Sequence, residues 1–353
     1  MHVSLILHIT LINANLIGDE KKGGKMKLFI KIFVSIIISF TATKSILAAD
    51  YNFKFGTVSA DTEPLLDAMR YMAKNIEERS DGRIEIDVYG GAVLGTNKEV
   101  YEQVKNGAMV MTIADAGYLS DYYPDIGVLN GPYLLADVND FDKILKSDWY
   151  AETIDNLTAA SDLKVTAFNW LFGARHIITS KEVRHPDDMK DVAIRVPPNV
   201  MWVETFKSMG AKGTQVAWAE VYGALSTGLV DAAEAPIASI IGAKLYEQRK
   251  VISMTGHFKA FVAPVINAKI FDSMPNDLQN IILEESINAG KYLTKLTLEG
   301  EEGLIKQLQS EGVSFVRASE IDMAAFQDAT APTYDAFPEW SDGLFERVSE
   351  ILK

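Results

Sequence analysis

Cysteine is absent from this chain of 353 residues. That excludes disulfides, thiolate nucleophiles, cysteine-ligated zinc, iron–sulfur clusters and acylation of a cysteine. Histidine is scarce, with five residues, so a histidine-rich metal site is not expected, and neither is any cofactor. Basic charge is also in deficit. The 34 Lys and Arg stand against 48 Asp and Glu, a formal net charge of −14 with no basic run. Nucleic acid and anionic membrane surfaces both reward clustered cations, so neither is an expected partner. The chain carries no GxSxG, no HExxH and no GxxxxGK(S/T), so the groups from which an enzyme reading starts are missing. What is present is 48% hydrophobic and 10% aromatic residues. That is too apolar for disorder and enough for one large domain or two ordinary ones.

The apolar run LFIKIFVSIIISF (28–40) follows Met26-Lys27 and gives way to small residues ending in SILAAD. A basic start, a short apolar stretch and a small-residue end make a secretory signal, here 26–49, with cleavage expected after Ala49. The stretch is short of the roughly 20 residues that span a bilayer. Residues 1–25 fit no element and read as translated upstream sequence, since Lys21-Lys22-Gly23-Gly24-Lys25 back-translates to a ribosome-binding site. Removing 1–49 takes away six lysines and only Asp19 and Glu20 among the acids, so the remainder is still more acidic. It also has no cysteine for a lipid. A soluble, unlipidated, periplasmic monomer is the expectation.

YNFKFGTV (51–58) alternates as a strand does. A helix follows, with Pro64 in its first turn, Asp61 or Thr62 as cap, and Leu65, Leu66, Met69, Met72, Ala73 and Ile76 on one face. RIEIDVY (83–89), a helix from Asn97, and the apolar AMVMTIA (108–114) complete a strand–helix–strand grammar that implies a buried parallel sheet. The second half repeats it, with strands at 163–170, 188–197 and 229–235 and helices at 200–210 and 219–228. From Asn276 to about residue 309, apolar residues at three- and four-residue steps predict a helix of about 50 Å, long enough to brace two lobes and open to a kink at Gly300 and Gly303. The expected fold is α/β and two-lobed, each lobe a sheet flanked by helices. Lobe I takes 50–172 plus about 261–300, and lobe II takes 173–260 plus about 301–353.

Two arginines lie in apolar strands. Arg175 is in FGARHIITS and Arg195 in AIRVPP. A guanidinium there must be paired, because unpaired buried charge is costly. The partner is either an internal acid or a ligand carboxylate held bidentately. GGAVLG (90–95) lacks the spacing of a phosphate cradle and reads as a turn.

From Gly173 to Pro236 the motifs GARHIITS, IRVPPN and AEVYGALSTGLVDAAEAP stand in order, and DGRIEIDVYGGAVLGTNKEVYEQVKNGAMVMTIA precedes them. Over residues 50–320 this resembles the extracytoplasmic solute-binding subunits of tripartite ATP-independent periplasmic (TRAP) transporters. The resemblance implies a two-lobed, type II-like binding protein that closes on its ligand and delivers it to the small and large membrane subunits of a permease. It implies Arg195 as the carboxylate clamp, Arg175 as its assistant, Asp115 and Glu234, the latter the acid of the family's "E.P" motif, as acids that bind ligand hydroxyls, and Trp218 as the aromatic that closes over the ligand. Asn169, Trp170 and Asn199 are further pocket candidates. Asp115 can equally be a helix cap and Trp218 a core residue. Sialic-acid binders of the family carry asparagines where this chain has Val58, Pro198 and Ala235, so a smaller sugar acid such as a hexuronate is expected. The alternatives are a dicarboxylate or keto acid ligand, a sensor partner, and a periplasmic enzyme on the same architecture.

Overall fold

The alternation of YNFKFG becomes β1 (Tyr51–Gly56), with Phe53 and Phe55 buried. The computed structural model describes residues 49–353, which form one compact unit. Of the expected leader only Ala49 falls within them; the signal segment before it and the upstream residues 1–25 lie outside the described residues. After β1, α1 (Pro64–Arg79) buries all six apolar residues that its pattern predicts. Neither Asp61 nor Thr62 caps it. Glu63 occupies that position, and its side chain makes no cap. β2 (Ile84–Tyr89), α2 (Asn97–Lys105) and β3 (Val110–Asp115) follow, with a Thr96/Glu99 capping box fixing the start of α2.

β1 lies parallel between β2 and β3. The sheet does not stay parallel. β3 runs antiparallel to a long strand, β9 (Val251–Asn267), through Thr112↔Val265 to Asp115↔Val262. β9 also pairs antiparallel with β5 (Trp170–Thr179), and β5 with β8 (Ala233–Ala235). The order is β2-β1-β3-β9-β5-β8, with β4 (Leu163–Val165) and β10 (Ser314–Val316) also on β9. The single strand expected at 163–170 is therefore two. Between them the chain turns toward a helix, where Ser286 donates to Thr166 Oγ1 at 2.8 Å and Asn169 donates to the Ile287 carbonyl at 3.0 Å. The strand expected at 188–197 shortens to β6 (Ala193–Val196), which pairs parallel with β7 (Lys212–Gln215).

That helix is the expected long one. It is preceded by α3 (Ala116–Leu119), α4 (Phe141–Leu145), α5 (Asp148–Ser161), α6 (Val200–Ser208), α7 (Val221–Thr227), α8 (Ile237–Gly242) and α9 (Ala268–Ser273), so it is α10 (Asn276–Ser310). Its 35 residues run unbroken through Gly300 and Gly303. Leu278, Ile282, Ala289 and Leu293 join the core around β1 and α1, whereas Ile305 and Leu308 join another around α7, α8 and β8. β5 and β9 divide their side chains among the same cores. Three elements thus tie the halves together. α11 (Met323–Thr330) and α12 (Leu344–Leu352) end the chain. Leu344 and Val348 of α12 pack with Phe141 and Ile144, in the core of the first half, so the expected assignment of all of 301–353 to the second half does not match the packing. No helix of the described residues is long and apolar enough to cross a membrane.

Gly256 adopts φ 54° where β9 bulges against β5, between the pairs Arg175↔Phe258 and Ile177↔Ser253. The bulge re-aims β9, and Gly256 N–H donates to His176 Nδ1 at 3.2 Å.

Candidate functional site

Arg175 is on β5, Arg195 on β6, Asp115 at the end of β3, Glu234 on β8, and Trp218 at the turn into α7. Four of these five line one cleft, namely Arg175, Arg195, Asp115 and Trp218. Glu234 does not reach it.

Arg195 is 2% exposed. Its Nε donates to the Val216 carbonyl at 3.0 Å, and its guanidinium lies 5.2 Å from the centre of the Trp218 ring. Among the described residues its two terminal nitrogens have no hydrogen-bond partner and it forms no ion pair. Burial accordingly pushes its pKa down to about 10, against the more distant charge of Glu234. This cation is buried by the fold without a counter-ion of its own.

Arg175 differs. Its Nε and one terminal nitrogen donate to the two oxygens of Glu234 at 2.5 and 2.7 Å. The Glu234 side chain has no exposed surface. Burial would raise its carboxyl, but the charge and hydrogen bonds of Arg175, with help from His257, outweigh burial and hold it well below the usual carboxylate range. His257 Nε2 lies 3.4 Å from Glu234 Oε2, and Nδ1 lies 2.8 Å from the Thr255 hydroxyl. An ionised carboxylate only accepts, so the imidazole proton sits on Nε2, and Nδ1 accepts from Thr255. Burial lowers the His257 pKa despite Glu234, so the ring is neutral. Glu234 thus has both oxygens engaged within the protein and no room for a ligand hydroxyl, contrary to the sequence expectation. One terminal nitrogen of Arg175 remains without a partner among the described residues, and the guanidinium lies 5.5 Å from the Trp202 ring centre.

Asp115 is both things that its sequence allowed. It caps α3, with Oδ1 accepting from Tyr118 N–H at 3.0 Å and Asn130 Nδ2 at 3.1 Å, and it lines the cleft. Burial raises its carboxyl, opposed by those hydrogen bonds and by the charge of Arg175. The three asparagine and tryptophan candidates are elsewhere. Trp170 is fully buried, with its indole N–H on the Ser286 carbonyl at 2.9 Å, and Asn169 is bonded to α10 beside it. Asn199 caps α6 by accepting from Met201 N–H at 2.9 Å. Each bonds to backbone at a helix, and none of the three lines the cleft.

The structure adds Asn97, Tyr118, Phe172 and Trp202 to the cleft wall, and His257 behind it. Trp202 and Phe172 are apolar residues in apolar segments and carry no sequence signal apart from core. Asn97 reads as a helix start. A neighbouring crevice lies beyond Phe172 and Pro236, but its charged groups are Glu63 and Glu301, both acids, so it does not suit a carboxylate.

The profile of the family described as bacterial extracellular solute-binding protein, family 7 (DctP), matches residues 55–339. The chain belongs to this family, the solute-binding proteins of TRAP transporters. Among solved structures, the family member is similar to a TRAP periplasmic solute-binding protein from Ochrobacterium anthropi with bound L-fuconate, at 34% identity and TM-score 0.83 over 86% of this chain and 100% of that one. A second, from Actinobacillus succinogenes with bound L-galactonate, is 31% identical with TM-score 0.82 over 85% and 99%. The 2,3-diketo-L-gulonate-binding periplasmic protein YiaO of Escherichia coli is 28% identical over 91% of this chain and 97% of its own.

Proposed function

We propose that this solute-binding protein captures a six-carbon sugar acid in the Arg195 cleft. The observation that carries the reading is the Arg195 guanidinium, which is buried beside Trp218 and left without an acid by the fold. A ligand carboxylate supplies the missing charge, accepting from Arg195 and from the remaining nitrogen of Arg175. Asp115 accepts from ligand hydroxyls, and Trp218 covers the apolar face of the carbon chain. Solved relatives hold the aldonates L-fuconate and L-galactonate at 34% and 31% identity and the hexuronate D-glucuronate at 27%, so an open-chain aldonate is taken first and the hexuronate expected from sequence stays beside it. Binding closes two lobes, one built on β1–β3 and one on β6–β8, about the crossing elements β5, β9 and α10, and the closed form presents the solute to a membrane permease from the periplasm.

A thermal-shift screen of aldonates, hexuronates, keto acids and dicarboxylates tests this. Ligand at about 100 times its dissociation constant adds about 2.7 kcal/mol. Stabilisation by an aldonate is expected, and silence from every sugar acid overturns the reading. A polyol phosphate is the second reading, because solved relatives at 29% identity hold sn-glycerol-3-phosphate and diglycerolphosphate. These compounds belong in the same screen.

A further inference from the structure

Behind the two arginines lies a pair that nothing above uses. Ser239, on α8, lines the cleft with Arg195 and Asp115, and its hydroxyl donates to Glu63 Oε2 at 2.6 Å. Glu63 stands 176 residues away in sequence, at the entry to α1, and is 1% exposed. Its other oxygen, Oε1, accepts from Ala60 N–H at 2.8 Å, so the carboxylate is held at both ends. The approach of α8 depends on Gly242, where a Cβ would come within 2.9 Å of Glu63 Oε1 and 3.1 Å of the Ala60 Cβ. Among the described residues Glu63 has no ion-pair partner.

A serine hydroxyl has one proton. Here that proton points at Glu63, so only lone pairs of Ser239 remain for the cleft. We propose that Ser239 reads one ligand hydroxyl by accepting its proton, and that Glu63 is the positioning residue that fixes Ser239 as the acceptor. The inference rests on the sugar-acid reading and refines it: at one carbon the site selects a hydroxyl over a keto group, because a keto oxygen there would meet lone pair with lone pair. The charge of Arg175 acts on Glu63, while the Ser239 and Ser59 hydroxyls and Ala60 N–H face it as donors, and Glu301 of α10 borders the same crevice. Burial raises the Glu63 carboxyl against those donors and Arg175. With Oε1 held by Ala60, a proton taken up would go to Oε2 and free Ser239 to donate, so the hydroxyl preference weakens as pH falls.

The test is calorimetric titration of the mature chain with L-galactonate and with its monodeoxy and monoketo analogues, L-fuconate being the 6-deoxy member. In the parent, removing the hydroxyl that Ser239 reads costs about tenfold in affinity, the worth of one hydrogen bond. Ser239→Ala binds L-galactonate about tenfold more weakly and becomes indifferent to that one deoxygenation. In Glu63→Gln the amide oxygen takes Ala60 N–H and the amide nitrogen donates to Ser239, whose own proton then turns to the cleft. The hydroxyl-over-keto ratio at that carbon should fall about tenfold, at a melting temperature close to the parent's. If Ser239→Ala keeps every deoxygenation penalty, or Glu63→Gln keeps the parent ratio, the inference fails while the ligand class stands. If the parent binds no aldonate, the ligand class fails and the inference with it.

Discussion

Arg175 closes on Glu234 through two side-chain hydrogen bonds of 2.5 and 2.7 Å, a bidentate pair sealed inside the protein. Arg195, twenty residues on, has no such partner among the described residues. The two arginines look alike in sequence and differ in what the fold supplies to them, so they should separate cleanly under mutation.

Arg195→Ala is expected to lower affinity for the ligand at least a hundredfold, about 3 kcal/mol, since two charge-assisted hydrogen bonds go and a desolvated carboxylate loses its partner. Arg195→Lys restores only part, because the charge returns without the fork. The melting temperature of the ligand-free protein should change little. Near-parental affinity in a folded Arg195→Ala protein, measured by calorimetric titration, would remove Arg195 from the site.

Glu234→Gln should do the reverse. It leaves the Arg175 guanidinium buried without its anion, a change of about 3–5 kcal/mol in stability for a buried pair. The ligand-free chain should melt well below the parent in denaturant or heat. Equal stability would mean that Arg175 finds its counter-charge elsewhere.

His257 gives the stability a pH dependence of known sign. Its folded pKa is lowered from 6.5 by burial. The unfolded chain therefore takes up the proton first as pH falls, and the native state loses stability below about pH 6.5 and regains it above. Glu63 and Asp115, whose carboxyls burial raises, act in the opposite direction, so the informative quantity is the difference between the parent and His257→Asn. That difference should shrink from pH 7.5 to 5.5. Parallel melting curves for the two proteins would contradict it.

Some of the site was legible because charge in an apolar strand demands an explanation. Arg195 in AIRVPP and Arg175 in FGARHIITS stand out for that reason alone. The acid that pairs with Arg175 was not legible, because Glu234 in a short strand looks the same whether it faces a cleft or a guanidinium. Asn169 and Trp170 were misread because their partners, Ser286 and Ile287, are more than a hundred residues away and only the docking of α10 brings them close. The same limit hid β9. Gly256 and Pro264 interrupt its pattern, yet the glycine is a bulge and Pro264 lies within the pairing with β3. Helices fared better: the faces of α1 and α10 follow from local spacing, which no distant contact overrides.

The place of β9 at the centre of the sheet has a consequence for how the chain is made. The edge of β3 at residues 112–115 that faces away from β1, and residues 163–165 of β4, both wait for the stretch 262–267 before they are paired. Neither half can be finished from its own consecutive residues, so synthesis leaves a growing polypeptide with open strand edges until most of its length exists. Such non-local pairing makes acquisition of the native state slow and late, and it exposes the nascent chain to sticking. A chain kept unfolded until it is complete, as passage through a membrane pore requires, loses nothing by this topology.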